Sequence, residues 1–171
     1  SAVDKDNVWA VGSEGGADAV IARTTNGEDW ERININILEG VQVLIDVHAV
    51  TAEIVWAVGT DGTVAITING GESWVRTGPP AGLLHVKGVC ALDEKRAWIA
   101  VDSYSVYYTS DGGFSWLILH PFERGGFFIH SLNSYLMGSI IAVYPTDKYV
   151  FGGIGVSIDT MPTSSTYKLG L

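Results

Sequence analysis

Thr109-Ser110-Asp111-Gly112-Gly113-Phe114-Ser115-Trp116 recurs in pattern at Thr67-Ile68-Asn69-Gly70-Gly71-Glu72-Ser73-Trp74 and, one residue shorter, at Thr24-Thr25-Asn26-Gly27-Glu28-Asp29-Trp30. The chain is therefore a repeat array. In each copy a short Asp or Asn side chain can accept backbone N–H groups of its own turn, while glycine supplies the positive-φ positions of a tight corner. The tryptophan that follows opens the next strand, and one indole covers enough apolar area to plug the gap to a neighbouring unit.

A second word repeats out of phase with the first: Val8-Trp9-Ala10-Val11-Gly12, Val55-Trp56-Ala57-Val58-Gly59 and Ala97-Trp98-Ile99-Ala100-Val101. All six tryptophans fall in these two words, spaced 44 and 42 residues apart in the corners and 47 and 42 in the strands. A period in the forties built from strand words is that of propeller blades. No segment carries a helical stripe, and turn signals break the chain about every ten residues. The expected class is all-β: a propeller of about four four-stranded antiparallel blades at approximately 1–37, 43–78, 86–120 and 137–171. The chain is one propeller domain or a fragment of one.

Within the first unit the strand words are 7–12 and 19–24, followed by an outer strand over 30–37. The second is the cleanest copy, with strands at 43–50, 54–59, 63–67 and 74–77. The third runs through 86–92, 97–101, 105–109 and 115–120. Pro79 and Pro80 start a connector, because proline cannot donate to a ladder. A longer insertion, 120–139, carries Phe122, Arg124, Phe127, Phe128, His130 and Tyr135, and the fourth unit lacks the paired glycines and the tryptophan at its corner.

Composition removes several functions. Nineteen acidic and ten basic residues give a net charge of −9, against the clustered cations a nucleic-acid partner requires. No apolar run approaches the ~20 residues that span a bilayer, and no basic-then-apolar leader opens the sequence. The single cysteine, Cys90, lies in an apolar run and reads as a small core residue. No histidine pair has metal-ligand spacing, and neither a nucleophile elbow nor a phosphate loop occurs. No metal or cofactor is expected. The acids Asp4, Asp6, Asp93 and Glu94 read as solvated turn charge, since the Gly and Glu that complete a calcium loop are missing.

The corner pattern resembles the Asp-box of neuraminidase-type repeats, Ser/Thr-x-Asp/Asn-x-Gly-x-Ser/Thr-Trp, at every defined position of Thr67–Trp74 and Thr109–Trp116. Joined to Trp-Ala-Val-Gly and a glycine turn, it is similar to the repeats of the photosystem II assembly and stability factor family and its non-photosynthetic relatives, over roughly 7–155. The resemblance implies a propeller and an extracytoplasmic setting, and assigns Thr24, Asn26, Trp30, Thr67, Asn69, Gly71, Trp74, Thr109, Asp111, Gly113 and Trp116 to the corner lock. Relatives with this box usually have six or more blades. Three recognisable units and one eroded one therefore point to a partial ring or half of a dimeric ring ahead of a small closed four-bladed ring.

Variation concentrates on the face made by second-to-third-strand turns and blade connectors, where the candidate binding residues are Asp61, His85, Asp102, Tyr104, Phe122, Arg124, Phe127 and Phe128. Rigid repeats with variable rim loops make a recognition platform. The leading expectation is a non-enzymatic scaffold that binds a protein partner or a second copy of itself. The alternative is carbohydrate binding or cleavage, with Tyr104, Tyr107 and Tyr108 stacking on sugars and two of Glu14, Asp18, Asp61, Asp102 and Glu123 facing each other across a cleft.

Overall fold

In the computed structural model, the repeat words become strands of three antiparallel sheets. Residues 1–16, 18–33, 35, 38–78, 85–101 and 105–119 are described. The first sheet is β1 (Val8–Glu14), β2 (Asp18–Thr24) and β3 (Glu31–Ile33), the second β4 (Leu44–Ala49), β5 (Val55–Gly59), β6 (Val64–Thr67) and β7 (Val75–Thr77). The third is β8 (Val86–Ala91), β9 (Ala97–Val101), β10 (Ser105–Thr109) and β11 (Leu117–Leu119). Each sheet meanders in sequence order, which makes it a propeller blade. In the first blade Ser1–Val3 fills the innermost slot: Ser1 and Trp9 exchange backbone N–H···O bonds of 2.9 and 2.8 Å, and the Val3 N–H donates to Asn7. The inferred fourth unit lies outside the described residues.

Strand alternation sorts each blade into two faces. On β5 and β6, Val55, Ala57 and Ala65 face the first blade, where they join Trp9, Ile21 and Trp74 in one buried cluster. Trp56, Val58, Val64 and Ile66 face the third blade and pack with Val86, Val89, Ile99, Val101 and Tyr107. Both faces of the middle blade are thus interface, and so β5 and β6 read as unbroken apolar runs.

Corners lock these faces together. Thr67 Oγ1 accepts the Gly71 N–H at 2.9 Å, and Asn69 Oδ1 accepts the hydroxyl of Thr67 and the Ser73 N–H. Thr109, Gly113, Asp111 and Ser115 repeat that set, with a 2.6 Å bond from the Ser115 hydroxyl to Asp111. These bonds hold the exposed Asp111 carboxyl down at about 2, the Ser115 hydroxyl first among the causes. The second glycine of each pair lies against the preceding blade: a Cβ on Gly71 would stand 2.8 Å from the Trp9 indole, and one on Gly113 would run into Thr77. Trp9 and Trp74 meet edge to face with centroids 5.9 Å apart, and Arg23 lies over the Trp9 ring while donating to the Gly70 carbonyl.

Three expectations are corrected. Among the described residues the first outer strand is Glu31–Ile33, which pair with β2, while Trp30 and Ile35, inside the expected 30–37, are not in strand. Trp30 does not plug a gap among the described residues: it is 52% exposed, against 8% for Trp74. Two of the first-turn acids, Asp4 and Asp93, are more than solvated charge. Asp4 Oδ1 accepts the N–H groups of Asp6 and Asn7, Thr51 Oγ1 those of Glu53 and Ile54, and Asp93 Oδ1 those of Lys95 and Arg96. One turn lock therefore recurs at 4, 51 and 93.

Candidate functional site

Two surfaces could carry function, the connector rim and the inner-strand channel. On the rim, β5 ends in the turn Thr60–Thr63, whose Asp61 is the one described non-glycine residue with positive φ, 56°. A bridge between Thr60 and His85 draws the start of β8 onto that turn, so two of the expected binding residues, Asp61 and His85, come to the same place. The Thr60 N–H donates to the Val43 carbonyl at 3.0 Å, and Arg76 crosses from β7 to the Thr63 hydroxyl at 3.1 Å. The turn is therefore tied to three strands, yet Asp61 stays exposed. Nδ1 of His85 is buried without a hydrogen-bond partner among the described residues. Asp102, Tyr104, Phe122, Arg124, Phe127 and Phe128 lie outside the described residues.

Among the described residues, the acids considered for glycoside cleavage make no pair facing across a cleft. Glu14 lies directly across the β1–β2 ladder from Asp18, both exposed, and its carboxylate is taken up by Arg32. Asp61 belongs to the next blade, while Asp102 and Glu123 lie outside the described residues. Of the tyrosines expected to stack on sugars, Tyr107 is buried between blades and Tyr108 lies against Trp98 with centroids 5.0 Å apart, while Tyr104 lies outside the described residues.

Sequence reasoning missed Asp46, on the inner strand of the second blade beside a register shift. Its carboxylate accepts the Val47 N–H at 2.9 Å and, across the blade boundary, the Val89 N–H at 3.0 Å. Burial raises its pKa, and those two N–H bonds offset part of the rise. Ser1 does the equivalent one blade earlier, its hydroxyl oxygen accepting the Ala49 N–H at 3.1 Å. An inner strand is an edge, and a side chain from the preceding blade caps its free donors. The signal was an acid standing between Ile45 and Val47 in a strand, Leu44–Ala49, whose other polar residue is His48.

Nearby, burial lowers the His48 pKa, with the Ser1 amino group adding to the effect, so its imidazole is neutral at pH 7. Burial and the Asp46 charge push the Cys90 thiol up to about 11, too high for a nucleophile. No group of three His, Cys, Asp or Glu residues able to hold a metal occurs among the described residues. No helix among them is long and apolar enough to cross a membrane. The arrangement offers a firmly supported polar rim above interlocked blades.

Fold and rim together define the class, an all-β β-propeller. A solved structure described as YCF48 bound to D1 peptide is similar to this chain at 23% identity and a TM-score of 0.58, over 69% of this chain. The matched part spans only 37% of that chain. No family profile matches the sequence, and no curated protein does.

Proposed function

We propose that this chain is a non-enzymatic propeller scaffold that docks a segment of a protein partner on its connector rim. The observation that carries the reading is exposed Asp61 on a turn that the half-buried His85 reaches through the Thr60–His85 bridge and that Val43 and Arg76 brace. A braced turn presents its carboxylate at little ordering cost on binding. The likeness in fold to a propeller found with a peptide supports the same use of the architecture. On sequence grounds alone, Asp102, Tyr104, Phe122, Arg124, Phe127 and Phe128, which lie outside the described residues, are proposed as further contacts, and Tyr and Arg are enriched among the residues that carry interface binding energy.

Selection of a phage-displayed random-peptide library on the purified chain tests the reading. Enriched peptides should lose binding to Asp61→Lys and His85→Ala variants whose melting is unchanged. Failure to enrich any peptide, together with glycan-array binding and release of reducing sugar, would replace it with the carbohydrate alternative.

A further inference from the structure

We infer that the corner bonds Asn26–Gly27 and Asn69–Gly70 are sites of spontaneous deamidation, and that the carboxylate so formed loosens the first corner while the second accepts it. In an Asn–Gly pair the glycine amide nitrogen attacks Cγ of the asparagine side chain, and ammonia leaves as a five-membered imide closes. Glycine has no Cβ to crowd that nitrogen. One water then opens the imide, giving aspartate at one carbonyl or, at the other, isoaspartate with an extra methylene in the main chain. The balance is one water taken up and one ammonia released, with no oxidant and no cofactor.

Folded corners hold the reacting groups. The Gly27 N–H donates to Thr24 Oγ1 at 3.0 Å and to the Asp6 carbonyl at 3.2 Å, and the Gly70 N–H to the Glu53 carbonyl at 3.0 Å. Oδ1 of Asn26 accepts the Glu28 and Asp29 N–H groups, as Oδ1 of Asn69 accepts that of Ser73. These bonds must break before the nitrogen reaches Cγ, so the reaction runs through local opening of a corner. Both asparagines are exposed, and water is at hand.

The outcome is decided by the side chain that faces Nδ2. Nδ2 of Asn69 donates to the Ser73 hydroxyl at 2.9 Å, and a hydroxyl can turn round and donate instead. The third corner shows that result: Asp111 stands where Asn69 does, and the Ser115 hydroxyl donates to its Oδ2 at 2.6 Å. In the first corner Nδ2 of Asn26 donates to the Asp29 carboxylate at 2.9 Å. Asp29 has no proton to give, and among the described residues no Lys, Arg or His pairs with it. Deamidation there removes a charge-assisted hydrogen bond and sets two carboxylates against each other. The first corner is thus the point at which ageing loosens the array.

Ageing of the wild-type chain, together with NMR amide exchange on Asn26→Asp and Asn69→Asp variants, is the test. Peptide mapping after incubation in mildly alkaline buffer should find deamidation at Asn26 and Asn69, faster in urea than in the folded chain. Asn26→Asp should speed exchange of the Glu28 and Asp29 amides about fivefold, whereas Asn69→Asp should leave the Ser73 amide at its wild-type rate. Adding Asp29→Ser to Asn26→Asp supplies the hydroxyl of the third corner and should bring the Glu28 amide back to its wild-type rate. Asn26 left intact after ageing in urea, or wild-type exchange in Asn26→Asp, would overturn the proposal. Equal loosening of both corners would overturn it as well, because the facing side chain would then not decide the outcome.

Discussion

Replacing Gly113 with alanine should separate the second and third blades. Gly113 sits at φ +87°, in the left-handed region, which costs an L-residue about 1–2 kcal/mol. The added Cβ would also overlap Thr77 Oγ1 and lie 2.8 Å from Thr77 Cβ, a residue that is 6% exposed and fixed on β7. Overpacking of this kind adds about 1–3 kcal/mol. The two effects together predict a loss of about 2–5 kcal/mol in urea denaturation. Gly112→Ala, at φ +77° with its nearest neighbour at 3.3 Å, carries mainly the backbone cost and should lose about 1–2 kcal/mol. Thr77→Ala alone should be within about 1 kcal/mol of wild type, because the buried Oγ1 it removes has no hydrogen-bond partner among the described residues. Combined with Gly113→Ala it should recover part of the loss, giving a coupling of about 1 kcal/mol or more. A Gly113→Ala loss below about 1 kcal/mol, or strict additivity in the double variant, would refute the interlocking of corner and preceding blade.

Trp56→Ala, at a fully buried indole that donates to the Asp93 carbonyl at 3.1 Å, should cost about 3–5 kcal/mol by chemical denaturation. Asp46 binds its proton more tightly folded than unfolded, so its contribution to stability is complete below the unfolded pKa and is lost as pH rises through the folded one. The stability of wild type relative to Asp46→Asn should therefore fall as pH rises above the ordinary aspartate range, and a pH-independent difference would count against burial of the charge. Asp111 has the opposite sign: its support for the corner is present above the ordinary carboxylate range and disappears as pH falls towards about 2, and Asp111→Asn should flatten that acid limb. Cys90 should react slowly with iodoacetamide at pH 7 in the folded chain and quickly in urea.

Period and strand words were legible because each repeat solves the same packing problem with the same residues. Strands at 97–101 and 105–109 fall where the words place them, and the others, the first outer strand apart, shift by one or two residues at an end. Trp30 was misread because a repeat pattern records what a residue does in a complete array, and the first copy has no described blade before it. The cross-blade role of Asp46 was hidden for a related reason. Its second donor, Val89, lies 43 positions away, and only the stacking of β4 on β8 brings them together. The turn lock at 4, 51 and 93 was concealed by chemistry: Asp in two copies and Thr in one do the same work, so the position varies while the bond persists. On the rim, Asp61 and His85 were both chosen from loop position, yet their meeting through the Thr60–His85 bridge is a matter of tertiary geometry.

Hydrogen–deuterium exchange on the chain bound to a library-selected peptide tests the scaffold reading most directly. The account predicts new protection at Thr60–Thr63 and at His85 and the residues just after it, with the corner turns Thr67–Trp74 and Thr109–Trp116 unchanged. Protection confined to those corners, with none at Asp61 or His85, would contradict it.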